Sequence, residues 1–274
     1  MNWSAIGVQL IVAVMIVGLG FWIFKTYPLK KDTQQMVSVA VFIMVSKVFA
    51  MFLTINLPLF GFDTFKIGFA QIVLVIGGSL VSPSWAFIMG LVDDMLGLIT
   101  EPTAFPFLGF TLNSILACVL PSLWYHRKHF KTTNRDIMIL VDIFLVSLAC
   151  LGVGYVFFNP SIKIDGEVVV FDLWMKCCWA LLMIVVGGVL ICTLHIIRKK
   201  TKEEYVEELT NWMMVVLMIE VVIQFCSTPF WLDIMYGVPW TASLFLRIVK
   251  ACVMIPVNVF IGFFALRMLR KIRK

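Results

Sequence analysis

Residues 66–127 read KIGFAQIVLVIGGSLVSPSWAFIMGLVDDMLGLITEPTAFPFLGFTLNSILACVLPSLWYHR. Three apolar runs lie in this stretch, at 67–81, 85–99 and 107–125. A helix needs roughly 20 apolar residues to cross the hydrocarbon core of a bilayer. The third run comes near that length, and the first two are shorter. Those two carry Gly77, Gly78, Gly90 and Gly97. Short glycine-rich runs suit helices wrapped by other helices rather than by lipid, because small residues let backbones approach. The stretch therefore reads as three consecutive helices of a bundle.

The rest of the chain agrees. Hydrophobic residues make up 61% of the sequence and charged residues 14%, with a mean hydropathy of +1.00. A soluble domain is about half apolar and about a quarter charged. So few charges cannot cover a water-facing surface. Run lengths predict spans at 5–24, 36–55, 67–81, 85–99, 107–125, 137–158, 172–197, 210–227 and 240–266. The fold class expected is an all-α polytopic membrane protein, a bundle of nine transmembrane helices.

Sixteen of the 22 cations fall in four segments, 25–35, 126–136, 198–208 and the C-terminus after 266. With nine spans all four lie on one side, which the positive-inside rule assigns to the cytoplasm. The intervening segments 56–66, 100–106, 159–171 and 228–239 read as outer loops; their charges are mainly acidic, with Lys66 and Lys163 as the cations. The N-terminus is then outside and the C-terminus inside. The net charge of +6 reports topology and contact with anionic lipid, not nucleic acid. The first apolar run has no preceding cation and no A-x-A site after it, so it reads as an uncleaved anchor.

Motifs for chemistry are missing. No phosphate loop, H-E-x-x-H or G-x-S-x-G occurs. The seven cysteines lie in or beside apolar runs without C-x-x-C spacing, which reads as packing rather than metal or disulfide. Asp93 and Asp94 are adjacent, so on a helix they point about 100° apart and do not converge on one reacting atom. Asp94 reads as a helix-end or interhelix hydrogen-bond partner.

Charges inside spans are costly and mark function by default. The candidates are Lys47, Asp94, Lys176, Glu220, Arg247 and Lys250. Arg247, Lys250, Met254 and Asn258 share one helix face. Two readings fit that stripe: it faces an outward-open cavity and binds an anionic or hydrogen-bonding ligand, or it pairs with Asp94 or Glu220 inside the bundle.

The stretch 66–127 resembles the second to fourth helices of the substrate-binding (S) components of energy-coupling factor (ECF) vitamin transporters. The counterparts are KIGF at 66–69, SPSW at 82–85, DMLG at 94–97 and PTAFPFLGFTL at 102–112. TPFWLDIMYGVPW at 228–240, followed by Arg247, Lys250 and Pro256, resembles the last two helices of the folate-specific branch. The family has six helices. On that resemblance the chain divides into an anchor helix at 1–30, four core helices at 31–129, an inserted transmembrane hairpin at 130–205 and two last core helices at 206–274.

The resemblance implies a vitamin-binding subunit without catalysis or cofactor, in the plasma membrane of a prokaryote. It would bind a folate-like vitamin from outside and dock on a transmembrane coupling subunit carrying two ABC ATPases. The substrate-binding residues implied are Arg247, Lys250, Trp231, Phe105, Phe107, Tyr236, Lys66 and Asn113. Flat rings stack on a pteridine-like heterocycle at modest entropy cost; the same aromatics also suit a membrane-interface belt. The family docks through an A-x-x-x-A pattern, matched here by Ala40 with Met44 in the second position. Lys47 shares that stripe and is expected to face the partner. Other readings fit the residues too: an S component for pantothenate or a pyrimidine, a non-transport polytopic scaffold, or an intramembrane enzyme using Asp93 or Asp94.

Overall fold

The computed structural model describes residues 3–59, 62–100, 107–127, 134–158, 161–164, 167–170, 172–237 and 240–273. Each predicted apolar run forms a helix: α1 (Trp3–Thr26), α2 (Thr33–Phe52), α3 (Ala70–Leu80), α4 (Pro83–Thr100), α5 (Leu108–Tyr125), α6 (Asn134–Phe158), α7 (Leu173–Lys200), α8 (Glu203–Ile219) and α10 (Trp240–Arg273). A π-helical segment, Glu220–Ser227, continues α8 into a further helix, α9 (Thr228–Tyr236).

Among the described residues, six stretches are long and apolar enough to cross a membrane: Ile6–Thr26, Thr33–Phe52, Leu108–Tyr125, Asn134–Gly154, Leu173–Lys200 and Glu203–Met235. The chain is a multi-pass helical membrane protein. Helix α3, with 11 residues, rises only about 16 Å, well short of the roughly 30 Å hydrocarbon core.

Three segments expected as loops are ordered differently. Thr54–Leu59 (β1) and Phe62–Gly68 (β2) form a two-stranded sheet, as do Ser161–Ile164 (β3) and Glu167–Val170 (β4). Residues 228–236 are helical rather than a loop. Proline lacks the N–H that a helix interior needs and its ring crowds the preceding turn. The wide π turn just before Pro229 loosens the backbone where that cost arises.

The chain divides into two compact units. One comprises Met1–Ile55, Lys66–Phe130 and Met218–Trp240; the other comprises Asn56–Phe65, Lys131–Leu217 and Thr241–Lys274. In the first unit, α1, α3, α4, α9 and the π segment all pack on α5. Two glycines set how closely. A Cβ on Gly78 would lie 2.2 Å from the Cys118 carbonyl oxygen, and one on Gly90 would lie 2.5 Å from the Ile115 Cα. Helices α3 and α4 thus touch the α5 backbone, as their glycine content predicts.

Between α3 and α4, Val81 is extended (φ −107°, ψ 159°), which ends α3 two residues before Pro83 opens α4. That corner is held by side chains. Ser122 donates to the Val81 carbonyl at 2.6 Å, the Ser82 N–H donates to Gln35 Oε1 at 3.0 Å, and Trp85 Nε1 donates to the Lys30 carbonyl at 3.2 Å.

The second unit packs α6 on α7. Trp212 is fully buried and donates its indole N–H to the Asn258 carbonyl at 3.0 Å, joining α8 to α10. Arg270 pairs with Glu208 at 2.8 Å, and the Arg267 guanidinium lies 3.9 Å from the Tyr205 ring centroid. Of the described cysteines, Cys118 is buried, whereas Cys150, Cys177, Cys178, Cys192 and Cys226 lie on helix surfaces. Packing therefore explains the first and not the others.

Candidate functional site

The first two turns of α5 face two neighbours. Gly109 and Asn113, four residues apart, face α9. Thr111 and Ser114 face α4. Asn113 on one face and Thr111 and Ser114 on the other are polar side chains in a largely apolar helix, and each finds a partner.

On the α9 side, Asn113 is 8% exposed and Trp231 is 6% exposed. The Trp231 indole N–H donates to Asn113 Oδ1 at 3.3 Å. Asn113 Nδ2 donates to Thr228 Oγ1 at 3.2 Å, and that hydroxyl donates to the Ile223 carbonyl at 2.7 Å. The chain of bonds fixes which way the amide points, since only its oxygen can accept from an indole. Phe107 meets Trp231 edge to face, with centroids 5.6 Å apart, and Phe230 approaches the same indole at 5.1 Å. Val12 of α1 and Leu112 of α5 close the apolar side of the cluster.

Gly109 is a steric requirement here. A Cβ would lie 2.3 Å from the Phe107 ring and 2.7 Å from Trp231. Nearby, Gln224 of the π segment donates to Gln71 Oε1 of α3 at 2.8 Å.

On the α4 side, Thr111 donates to Asp94 Oδ2 at 2.6 Å and Ser114 to Asp94 Oδ1 at 3.5 Å. Asp93 turns the other way and pairs with Lys47 of α2 at 3.1 Å. The two carboxylates therefore diverge, as adjacent helical positions require, and of the two roles expected of Asp94, helix-end or interhelix bond, it takes the interhelix one. Lys47 departs from expectation. It does not stay on the outward stripe with Ala40 and Met44, because its long stem lets the ammonium cross to Asp93, a nearly buried carboxylate that needs a counter-charge.

Of the residues expected to bind substrate, Trp231, Phe107 and Asn113 come together in this cluster. Lys66 lies in β2 and Tyr236 ends α9, with side chains outside the described set. Phe105 lies outside the described residues. Arg247 and Lys250 share a face of α10 in the second unit, both half-buried, and Arg247 Nε donates to Ser243 Oγ at 3.4 Å. On α2, Ala40 is exposed, as is Met44 at 70%. Sequence reasoning missed Thr228, Gln71 and Gln224. For the two glutamines the available signal was an uncharged amide inside an apolar span.

Chemically, the cluster offers an amide, an indole, a phenyl ring and a hydroxyl. That set donates and accepts hydrogen bonds and presents ring edges. None of its groups titrates near neutral pH.

No family model matches the chain. Over 116 residues it is 29% identical to the folate transporter FolT of Clostridium novyi (strain NT), which covers 42% of this chain and 63% of that protein. Over 134 residues it is 25% identical to the folate transporter FolT of Leuconostoc mesenteroides subsp. mesenteroides, covering 48% of this chain and 65% of that protein. The chain thus spans a little under two thirds of the length of the curated relatives it matches. A crystal structure of FolT bound with folic acid aligns with a TM-score of 0.49 and 20% identity, over 87% of this chain and 97% of that chain.

Proposed function

We propose that this protein is the membrane-embedded substrate-binding component of an ECF-type importer for folate or a related pteridine, a transporter subunit rather than an enzyme. The observation that carries the reading is the Asn113–Trp231–Phe107 cluster, formed by three of the residues that the family resemblance assigns to substrate. Similarity to two folate transporters supports it. A pteridine has a flat face and a hydrogen-bonding edge, and recognition needs ring contacts with a few well-placed polar groups.

In this proposal Trp231, Phe107, Asn113, Phe105 and Tyr236 contact the heterocycle. Arg247, Lys250 and Lys66 bind the acidic or hydrogen-bonding part of the ligand. Ala40 and Met44 dock on a transmembrane coupling subunit that carries two ABC ATPases. The helical bundle is embedded in the plasma membrane of a prokaryote, with the N-terminus outside and the basic C-terminus in the cytoplasm. A six-helix core is extended by an anchor at 1–30 and a hairpin at 130–205.

The test is to extract the full chain in mild detergent and identify the small molecule that copurifies. Folate or another pteridine is expected at close to one per chain. A preparation that carries a different vitamin, and does not exchange it for added folate, would refute the reading.

A further inference from the structure

The cationic end of the second unit holds a groove that the transport reading does not use. It has a volume of about 600 Å³ and is lined by Asn134, His195, Arg198, Lys199, Thr201, Glu203 and Val206. That volume is in the usual range for ligand sites, roughly 300–1,000 Å³. The walls come from the start of α6, the end of α7 and the start of α8. His195 lies 3.6 Å from Asp142, and Arg270 and Glu208 pair with each other. Among the described residues neither Arg198 nor Lys199 forms an ion pair, although Arg198 is half-buried.

Cations in the last turn of α7 complement the helix C-terminus, and that alone accounts for some of the charge. It does not account for a half-buried guanidinium lining a concave site beside an amide and a hydroxyl. Arginine in such a setting matches the geometry of a phosphate. The same two helices also expose apolar side chains away from the groove: Ile139 and Ile143 on α6, at 45% and 57%, and Val189 and Ile196 on α7, at 58% and 53%. A ligand suited to both surfaces has an anionic phosphate head and apolar tails.

We propose that this groove binds the headgroup of an anionic phospholipid, with Arg198 and Lys199 on the phosphate and the acyl chains along α6 and α7. Each juxtamembrane cation contributes about 1 kcal/mol toward an anionic lipid. Losing both therefore weakens retention roughly 25-fold.

The experiment is native mass spectrometry of the full chain, exchanged from detergent into mixed phosphatidylglycerol and phosphatidylcholine. Phosphatidylglycerol is expected to be retained at least about tenfold over phosphatidylcholine. The double variant Arg198→Gln/Lys199→Gln should lose that preference, and Arg198→Lys should keep most of it. The control Lys25→Gln/Lys30→Gln should leave it unchanged. Inorganic phosphate should not displace the lipid. Equal retention of the two lipids by the unaltered chain overturns the proposal, whether or not the double variant folds. So does an unchanged preference in that variant, and so does displacement by inorganic phosphate, which marks a free-anion site instead.

Discussion

The Trp231 indole N–H and the Asn113 side-chain oxygen lie 3.3 Å apart, across the contact of α9 with α5, with neither residue more than 8% exposed. This bond joins a helix from the middle of the chain to one more than a hundred residues later. It also holds a large flat ring in one orientation. A buried donor and acceptor stabilise only as a pair, so each residue depends on the other.

Asn113→Leu should therefore cost about 1–3 kcal/mol, because it leaves the buried Trp231 N–H without its acceptor. Trp231→Phe should cost less, since it removes the donor and keeps most of the ring packing. Thermal unfolding in detergent of the two single variants and the double variant checks this. Strictly additive losses would contradict a direct bond.

Gly109→Ala should cost a further about 1–3 kcal/mol by overpacking. The added methyl group meets both Phe107 and Trp231 inside van der Waals contact. Phe107→Leu, combined with Gly109→Ala, should recover part of the loss by making room. Melting temperatures of the three variants decide the matter.

Lys47→Met alone should be strongly destabilising, on the order of 3 kcal/mol, because it strands the buried Asp93 carboxylate. Lys47→Met with Asp93→Leu should be much milder, since an apolar pair of similar volume avoids the desolvation cost. A double variant as unstable as the single one would show that the 3.1 Å pair is not what holds α2 to α4.

Met44→Trp should leave folate binding to the purified chain intact and abolish uptake once the chain is reconstituted with an ECF coupling module. The side chain is 70% exposed, so its enlargement disturbs no internal packing. Unimpaired uptake would remove Ala40 and Met44 from the docking surface.

Helix positions were legible because lipid leaves the backbone one economical answer: an apolar run of bilayer length must be helical to satisfy its own polar groups. Glycine spacing also carried real information, as Gly78 and Gly90 press directly on α5. The segment 228–236 was misread because Pro229 and Asp233 resemble turn residues, while the π segment that accommodates the proline leaves no mark in hydropathy. The strands at 54–68 and 161–170 were missed because short hairpins at span ends have too little alternation to detect. Asn113, Phe107 and Trp231 were legible only through family resemblance. Thr228 and Gln224 matter through spatial pairing, which no single-sequence pattern records.

The central proposal is that the chain binds folate. Isothermal titration of the purified full chain with folate tests it most directly, alongside Trp231→Ala and Arg247→Ala. The account predicts saturable binding of one folate per chain, weakened about tenfold or more in each variant while helical content is retained. Absence of binding by the unaltered chain, or affinity unchanged in both variants, would contradict it.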